Sequence, residues 1–290
     1  MHRYLKSIGF TYISKREELD ELLNEVINTP TDEVYIKKSN GDLLVERSKE
    51  FGAFIGIAVR GTFDKEGKFK MEYYFPYFCG SKVSTDVKVD VERYAEKDAY
   101  AGICEDTRVG VPLIFFLQNP IEYYKSTYQK GISIPTEVYL SALSVEGTIL
   151  LPVETERPNK TIGMRPDRAS LISAARDGDE DSIESLTLEE LDIYSMITKR
   201  IQHEDIYTIV DTTFMPYGVE TDCYTIIGRI KDYRYISNHI TGEQCCIMEI
   251  CCNDVTFELC INCFHLMGEP AVGRRFKGTI WMQGVIMQKG

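Results

Sequence analysis

Apolar residues recur first at helical spacing and then in alternation. Within 17–27, Leu19, Leu22, Leu23, Val26 and Ile27 return every three or four residues, which predicts a helix buried along one face. Ser14 with Glu17 forms a capping-box pattern before it, and Thr29-Pro30 closes it. Strand signals follow. Val34-Tyr35-Ile36 and Leu43-Leu44-Val45 flank Asn40-Gly41, a strong hairpin signal, and the runs 53–63 and 69–78 flank Lys65-Glu66-Gly67-Lys68 in the same way. Val83, Thr85, Val87, Val89 and Val91 alternate as a half-buried strand should, while 111–117 is a continuous apolar run, expected to be buried on both faces and stopped by Asn119-Pro120. A Tyr-rich helix is predicted over 122–128 and one more hairpin over 138–153, turning at Glu146-Gly147.

Prolines 152, 158 and 166 punctuate a polar connection. Beyond it one helix is predicted at 168–176, ending at Gly178. A second is expected to be capped by Thr187 with Glu190 and to turn Leu188, Leu191, Ile193, Ile197 and Ile201 inward. Strand-like runs then sit at 224–235, 244–252, 255–264 and 276–287, with turn signals at Asn238, Thr241-Gly242, Asn253-Asp254 and Gly268-Glu269-Pro270. Gly228, Gly278 and Gly284 within these runs suit the tight bends of a small closed barrel. The expected fold class is α+β. A mixed domain with an antiparallel sheet spans 1–153, a linker 154–166, a helical hairpin 167–204, and a small OB-like or SH3-like β-barrel 205–290.

Composition narrows the function classes. Acids outnumber bases 45 to 33 and the net charge is −12. A phosphate backbone draws its partners through clustered Lys and Arg, so nucleic acid is disfavoured. The apolar runs are shorter than the ~20 residues of a membrane-crossing helix, and 1–14 has no signal-peptide core; a cytoplasmic location is expected, with no membrane partner. Cysteines number nine, an odd count. In a reducing compartment they are expected as free thiols, which behave as small buried hydrophobes.

Five arrangements invite a functional reading. Cys260-x-x-Cys263-x-His265 has zinc-knuckle spacing, but Val255, Phe257, Leu259, Ile261 and Cys263 alternate as a strand, which puts positions three apart on opposite faces. The doublets Cys245-Cys246 and Cys251-Cys252 likewise place one thiol on each face, so buried core cysteines are expected. The acidic run 177–181 fails the calcium-loop pattern, having Ser182 where glycine and Leu188 where glutamate would stand, and reads as a solvated turn. The helix pair around 171–186 resembles a single ankyrin-type unit without a second copy. Arg229, Tyr233 and Tyr235, with Arg274, Arg275 and Lys277, would suit a face that stacks bases and contacts phosphates, although residues from 205 onward are net acidic. Cys104 is flanked by Glu105 and Asp106, which blunt a thiol, and no nucleophile elbow or phosphate-binding glycine loop occurs.

The segments 186–195 (LTLEELDIYS), 203–211 (HEDIYTIVD), 214–220 (FMPYGVE) and 268–278 (GEPAVGRRFKG) resemble a bacterial family known only as a domain of unknown function. Its members are similar in length, so the resemblance covers essentially the whole chain. It implies no activity, cofactor or site.

The expectation is a cytoplasmic, non-enzymatic binding or scaffolding protein with a protein partner and no cofactor. Tyr73, Tyr74, Tyr77 and Phe78 are further candidate contacts. The alternatives are an enzyme of unrecognised type with its site between the domains, and a barrel that binds single-stranded nucleic acid.

Overall fold

The computed structural model describes the chain except at 1, 38–42, 64–66, 95–98, 107, 110, 131–135, 154–170, 172–173, 177, 189–206, 208–209, 220 and 289–290. It is mostly β. Contacts gather residues 1–150 with 212–290 into one unit and 151–211 into another.

The first unit begins with a short 3-10 helix, Arg3–Ile8, ended by Gly9 in the left-handed conformation (φ 89°). Helix α1, Arg16–Asn28, buries Leu19, Leu22, Leu23 and Val26 as its spacing predicts. Its capping partner is Glu18 rather than Glu17: the Glu18 carboxylate accepts the main-chain N–H groups of Ser14 (2.9 Å) and Lys15 (3.0 Å). Four antiparallel strands follow in sequential order: β1 (Asp32–Lys37), β2 (Leu43–Gly52), β3 (Ile55–Phe63) and β4 (Phe69–Phe78).

The second sheet contains β5 (Val89–Arg93), β6 (Tyr100–Cys104), β7 (Leu113–Leu117), β8 (Thr136–Leu150), β9 (Thr213–Pro216), β10 (Cys223–Ser237), β11 (Gln244–Cys252), β12 (Val255–Asn262), β13 (Leu266–Met267) and β14 (Arg275–Gln288). Helix α2 (Pro120–Lys130) lies between β7 and β8. Pairing of β8 with both β12 and β14 closes a five-strand barrel in the order β8-β12-β11-β10-β14; the β8–β12 pair is parallel and the others are antiparallel. Residues 205–290 thus supply four barrel strands, and the fifth comes from 136–150, before the expected linker. The stretches 1–153 and 205–290 share one sheet.

Side-chain alternation divides the barrel strands between two cores. Leu140, Ala142, Ile226, Ile230, Cys246, Met248, Ile250, Phe257, Leu259, Ile261, Ile280 and Met282 fill the interior. Leu143, Cys223, Cys245, Ile247, Cys260 and Trp281 point outward and meet α1, the 3-10 helix and the four-stranded sheet. Tyr4 stacks on Trp281 with ring centroids 5.2 Å apart.

Three expectations are corrected here. The hairpin expected at 138–153 is a single long strand, β8. Gly147 serves close approach instead of a turn, since a Cβ there would lie 2.2 Å from the Phe276 ring. The alternating run from Val83 forms regular strand only at Val89–Arg93, with an isolated bridge from Thr85 to Val138. Upstream, side-chain bonds hold the segment instead: Ser81 binds Glu258, and Lys82 pairs with Glu249. In the second unit, residues 174–176 and 180–188 are helical. Asp179, not Thr187, caps the 180–188 helix by accepting Ser182 N–H at 3.1 Å, and Thr187 lies inside it, its hydroxyl bonded to Ile183 O. The remainder of the expected hairpin, including Leu191, Ile193, Ile197 and Ile201, lies outside the described residues. Among the described residues no helix is long and apolar enough to cross a membrane.

Candidate interaction surface

The cysteine stretch is sorted by strand alternation. Cys260 is buried on the outer side of β12, near Cys245, and its thiol donates to Ser7 O at 3.4 Å. Cys263 sits in a 3-10 turn, Cys263–His265, and packs against the interior core. Among the described residues no three His, Cys, Asp or Glu side chains gather so as to hold a metal ion. Burial pushes the Cys246 and Cys252 thiols up to about 12 and Cys263 to about 11. Cys104 is likewise pushed to about 12, first by burial and then by Asp106. These groups stay protonated near neutral pH, which suits packing and not nucleophilic attack.

Charged side chains on the barrel's outer face form a cross-strand row. Asp232 stands opposite Glu249, Glu249 opposite Glu258, Glu258 opposite Ser141, and Ser141 opposite Gln283. Glu258 is buried and accepts Ser81 N–H (2.6 Å), the Ser81 hydroxyl (2.8 Å) and Arg234 Nη1 (2.7 Å). Burial pushes its carboxyl up, but these bonds outweigh that and hold it below the usual range. Glu249 pairs with Lys82, and Asp232 Oδ1 accepts Tyr233 N–H at 2.9 Å. The row continues into a buried network that joins the two sheets. Gln283 accepts from Gln118 Nε2 (2.9 Å), Gln118 O accepts from Arg60 (2.8 Å), and Arg60 pairs with Glu46 and Tyr73. These contacts tie the sheets together and leave Glu249 and Glu258 paired with cations within the fold.

The basic and aromatic residues singled out in the sequence do not form one face. Arg229 lies opposite Arg275 across β10–β14, with Lys277 two residues on, and alternation places all three on the outer side, away from interior Ile230 and Phe276. Arg229 is exposed, Lys277 half-buried and Arg275 buried, so Arg275 does not belong to the expected contact surface. None of the three is a free cation. Arg274 sits in the preceding loop, where Nη1 donates to Glu269 O at 2.7 Å. Past a bulge between Ile230 and Asp232, Tyr233 and Tyr235 lie opposite Met248 and Cys246, on the interior-facing side but beyond the filled core. Their rings meet edge to face at 5.9 Å, and both are exposed. Of the other aromatics considered, Phe78 and Tyr77 are buried, and Tyr73 and Tyr74 pack against the outer core.

The register shows what lies beside the tyrosines. The C-terminal ends of β8, β10 and β12 and the N-terminal ends of β11 and β14 all fall at one end of the barrel. The chain at that end carries Phe264, Met267 and Val272, exposed by 78%, 70% and 66%. Sequence reading missed these three. Phe264 reads as the last apolar residue of a strand, yet the strand stops at Asn262, whose side chain accepts Phe264 N–H at 2.9 Å and turns the ring outward. The available signal was that asparagine, a residue that favours turns and caps.

The chain matches, over residues 5–284, the family model described as "Domain of unknown function, E. rectale Gene description (DUF3881)". The chain belongs to this family. The match takes in both units and every strand of the barrel except the last residues of β14. No curated protein and no solved structure matches the chain.

Proposed function

We propose that this DUF3881 protein is a cytoplasmic, non-enzymatic binding or scaffolding protein, and that it holds a partner protein at the barrel end carrying Phe264, Met267 and Val272. The observation that carries the reading is the exposure of these three apolar side chains within one short stretch, 264–272. Large apolar groups grouped on a surface mark contact sites, and aromatic anchors carry much of the energy of such contacts. In this reading the barrel serves, as OB-like and SH3-like barrels do, as a rigid platform for side chains at its rim. The thiols raised to about 11–12 and the pairing of Glu249 and Glu258 with cations support a non-enzymatic role. The separation of Arg229, Arg275 and Lys277 from the tyrosines favours a protein partner over single-stranded nucleic acid.

The test is quantitative purification of tagged wild-type protein beside the F264S/M267S variant from the native host. The reading expects a discrete protein that accompanies the wild type and is reduced at least tenfold with the variant, both chains having the same melting temperature. Equal recovery with both, or a wild type that brings nothing with it, overturns the reading.

A further inference from the structure

Among the described strands, part of one edge of β10 has no partner. Strand β10 pairs with β9 and β11 along one side, and with β14 along the other side from Cys223 to Arg229. Two more contacts, Ile230 N–H to Arg274 O at 2.8 Å and Gly273 N–H to Ile230 O at 2.9 Å, extend that second side. From 231 to 236 no described strand pairs there, while β11 continues on the first side to Ser237. Tyr233 N–H shows the direction of the edge: it is taken by the strand's own Asp232 carboxylate at 2.9 Å. A strand with open main-chain groups is a template for another strand.

We propose that two copies of the chain associate through this edge, antiparallel about a two-fold axis at Tyr233. The side chains select both the occupant and the register. With Tyr233 opposite its own copy, Asp232 stands opposite Arg234 of the second copy and Arg234 opposite its Asp232, while Lys231 stands opposite Tyr235. Shifting the axis to Arg234 sets arginine against arginine, and shifting it to Asp232 sets carboxylate against carboxylate; like charges directly opposite are unfavourable. Asp232 and Arg234 lie on the same face of β10, as a cross-strand ion pair requires. Arg234 has its Nη1 on Glu258 and the side chain is 40% exposed, which leaves it within reach of an incoming carboxylate. Asp232 then exchanges Tyr233 N–H for that arginine, and Tyr233 N–H goes to the facing strand. Five residues from each copy is a short contact, so the dimer is weak and concentration-dependent. It does not depend on the partner-binding proposal.

The experiment has two parts on the full chain. Sedimentation across the micromolar range is expected to show a monomer–dimer equilibrium that Asp232→Lys weakens by roughly tenfold, by placing like charges opposite each other twice. The same reversal at Asp90, on edge strand β5, is expected to change nothing. Register is read by cysteine substitution and oxidation with diamide, which takes two thiols to one disulfide and is itself reduced to the hydrazine. Tyr233→Cys is expected to link two copies, and Tyr235→Cys, which faces Lys231, is not. A wild-type chain that stays monomeric throughout, a dimer indifferent to Asp232→Lys, or linkage equal at both positions overturns the proposal.

Discussion

Arg60 Nη2 donates to the main-chain carbonyl of Gln118 at 2.8 Å, joining the four-stranded sheet to the chain just beyond β7 of the barrel sheet. The guanidinium is fully buried, packs beside the rings of Tyr73, Phe75 and Phe116, and pairs with Glu46. Removing one partner of such a pair strands the other charge in the interior. Arg60→Met is therefore expected to cost about 3–5 kcal/mol. Adding Glu46→Gln is expected to restore part of that loss, because no ionised group is then left alone. Urea unfolding of the two single variants and the double variant measures the coupling.

Acid should destabilise the fold through Glu258 and Asp106. In each, burial raises the carboxyl but hydrogen bonds to Ser81 and Arg234, or to Arg108, hold it below its usual value. The unfolded chain then takes up these protons first as pH falls. The stabilisation is present above the ordinary values of 4.5 and 3.8 and is lost as pH drops through the lower folded values. Glu258→Gln is expected to lower stability at neutral pH and to flatten the acid limb of a melting-temperature profile. An acid limb identical to wild type would contradict this.

Gly147 tests the barrel's closure. A methyl group there meets the Phe276 ring at 2.2 Å, and Phe276 is fully buried. Gly147→Ala is expected to cost about 1–3 kcal/mol by overpacking. Gly67→Ala meets nothing within 4 Å and has only its positive φ of 78° to contend with, so it should cost less. Denaturant midpoints of the two variants make the comparison.

Cys79, Cys104, Cys246, Cys252, Cys260 and Cys263 should be slow to react while the chain is folded. Thiols pushed to about 11–12 are almost wholly protonated at about pH 8, where a disulfide reagent attacks the thiolate. At these six positions native protein is expected to lag far behind unfolded protein, in which all nine cysteines react. A burst of fast labelling at Cys260 or Cys263 in the native state would contradict the packing role.

Much of the architecture was legible because burial writes itself into alternation. The barrel strands β10, β11, β12 and β14 follow strand-like runs separated by turn residues, with alternation clearest in β12, and α1 follows its leucines. A barrel was legible from the runs and glycines after 205, but its fifth strand, β8, was not, because the parallel pairing of β8 with β12 joins residues more than a hundred positions apart and leaves no local signal. Gly147 misled for a related reason: a glycine that admits a neighbouring ring looks, in sequence, like one that permits a turn. The surface was read only in part. Tyr233 and Tyr235 are exposed as expected, but the bulge after Ile230 sets them on the opposite side from Arg229 and Lys277, and a bulge has no composition of its own.

The proposal that the barrel end bearing Phe264 binds a partner protein is tested most directly by placing a photo-crosslinking residue at position 264 in cells, with position 71 on β4 as the exposed control. The account predicts a discrete adduct to a protein other than a second copy, formed from 264 and absent from 71. No adduct at 264, or the same adducts at both positions, would contradict it.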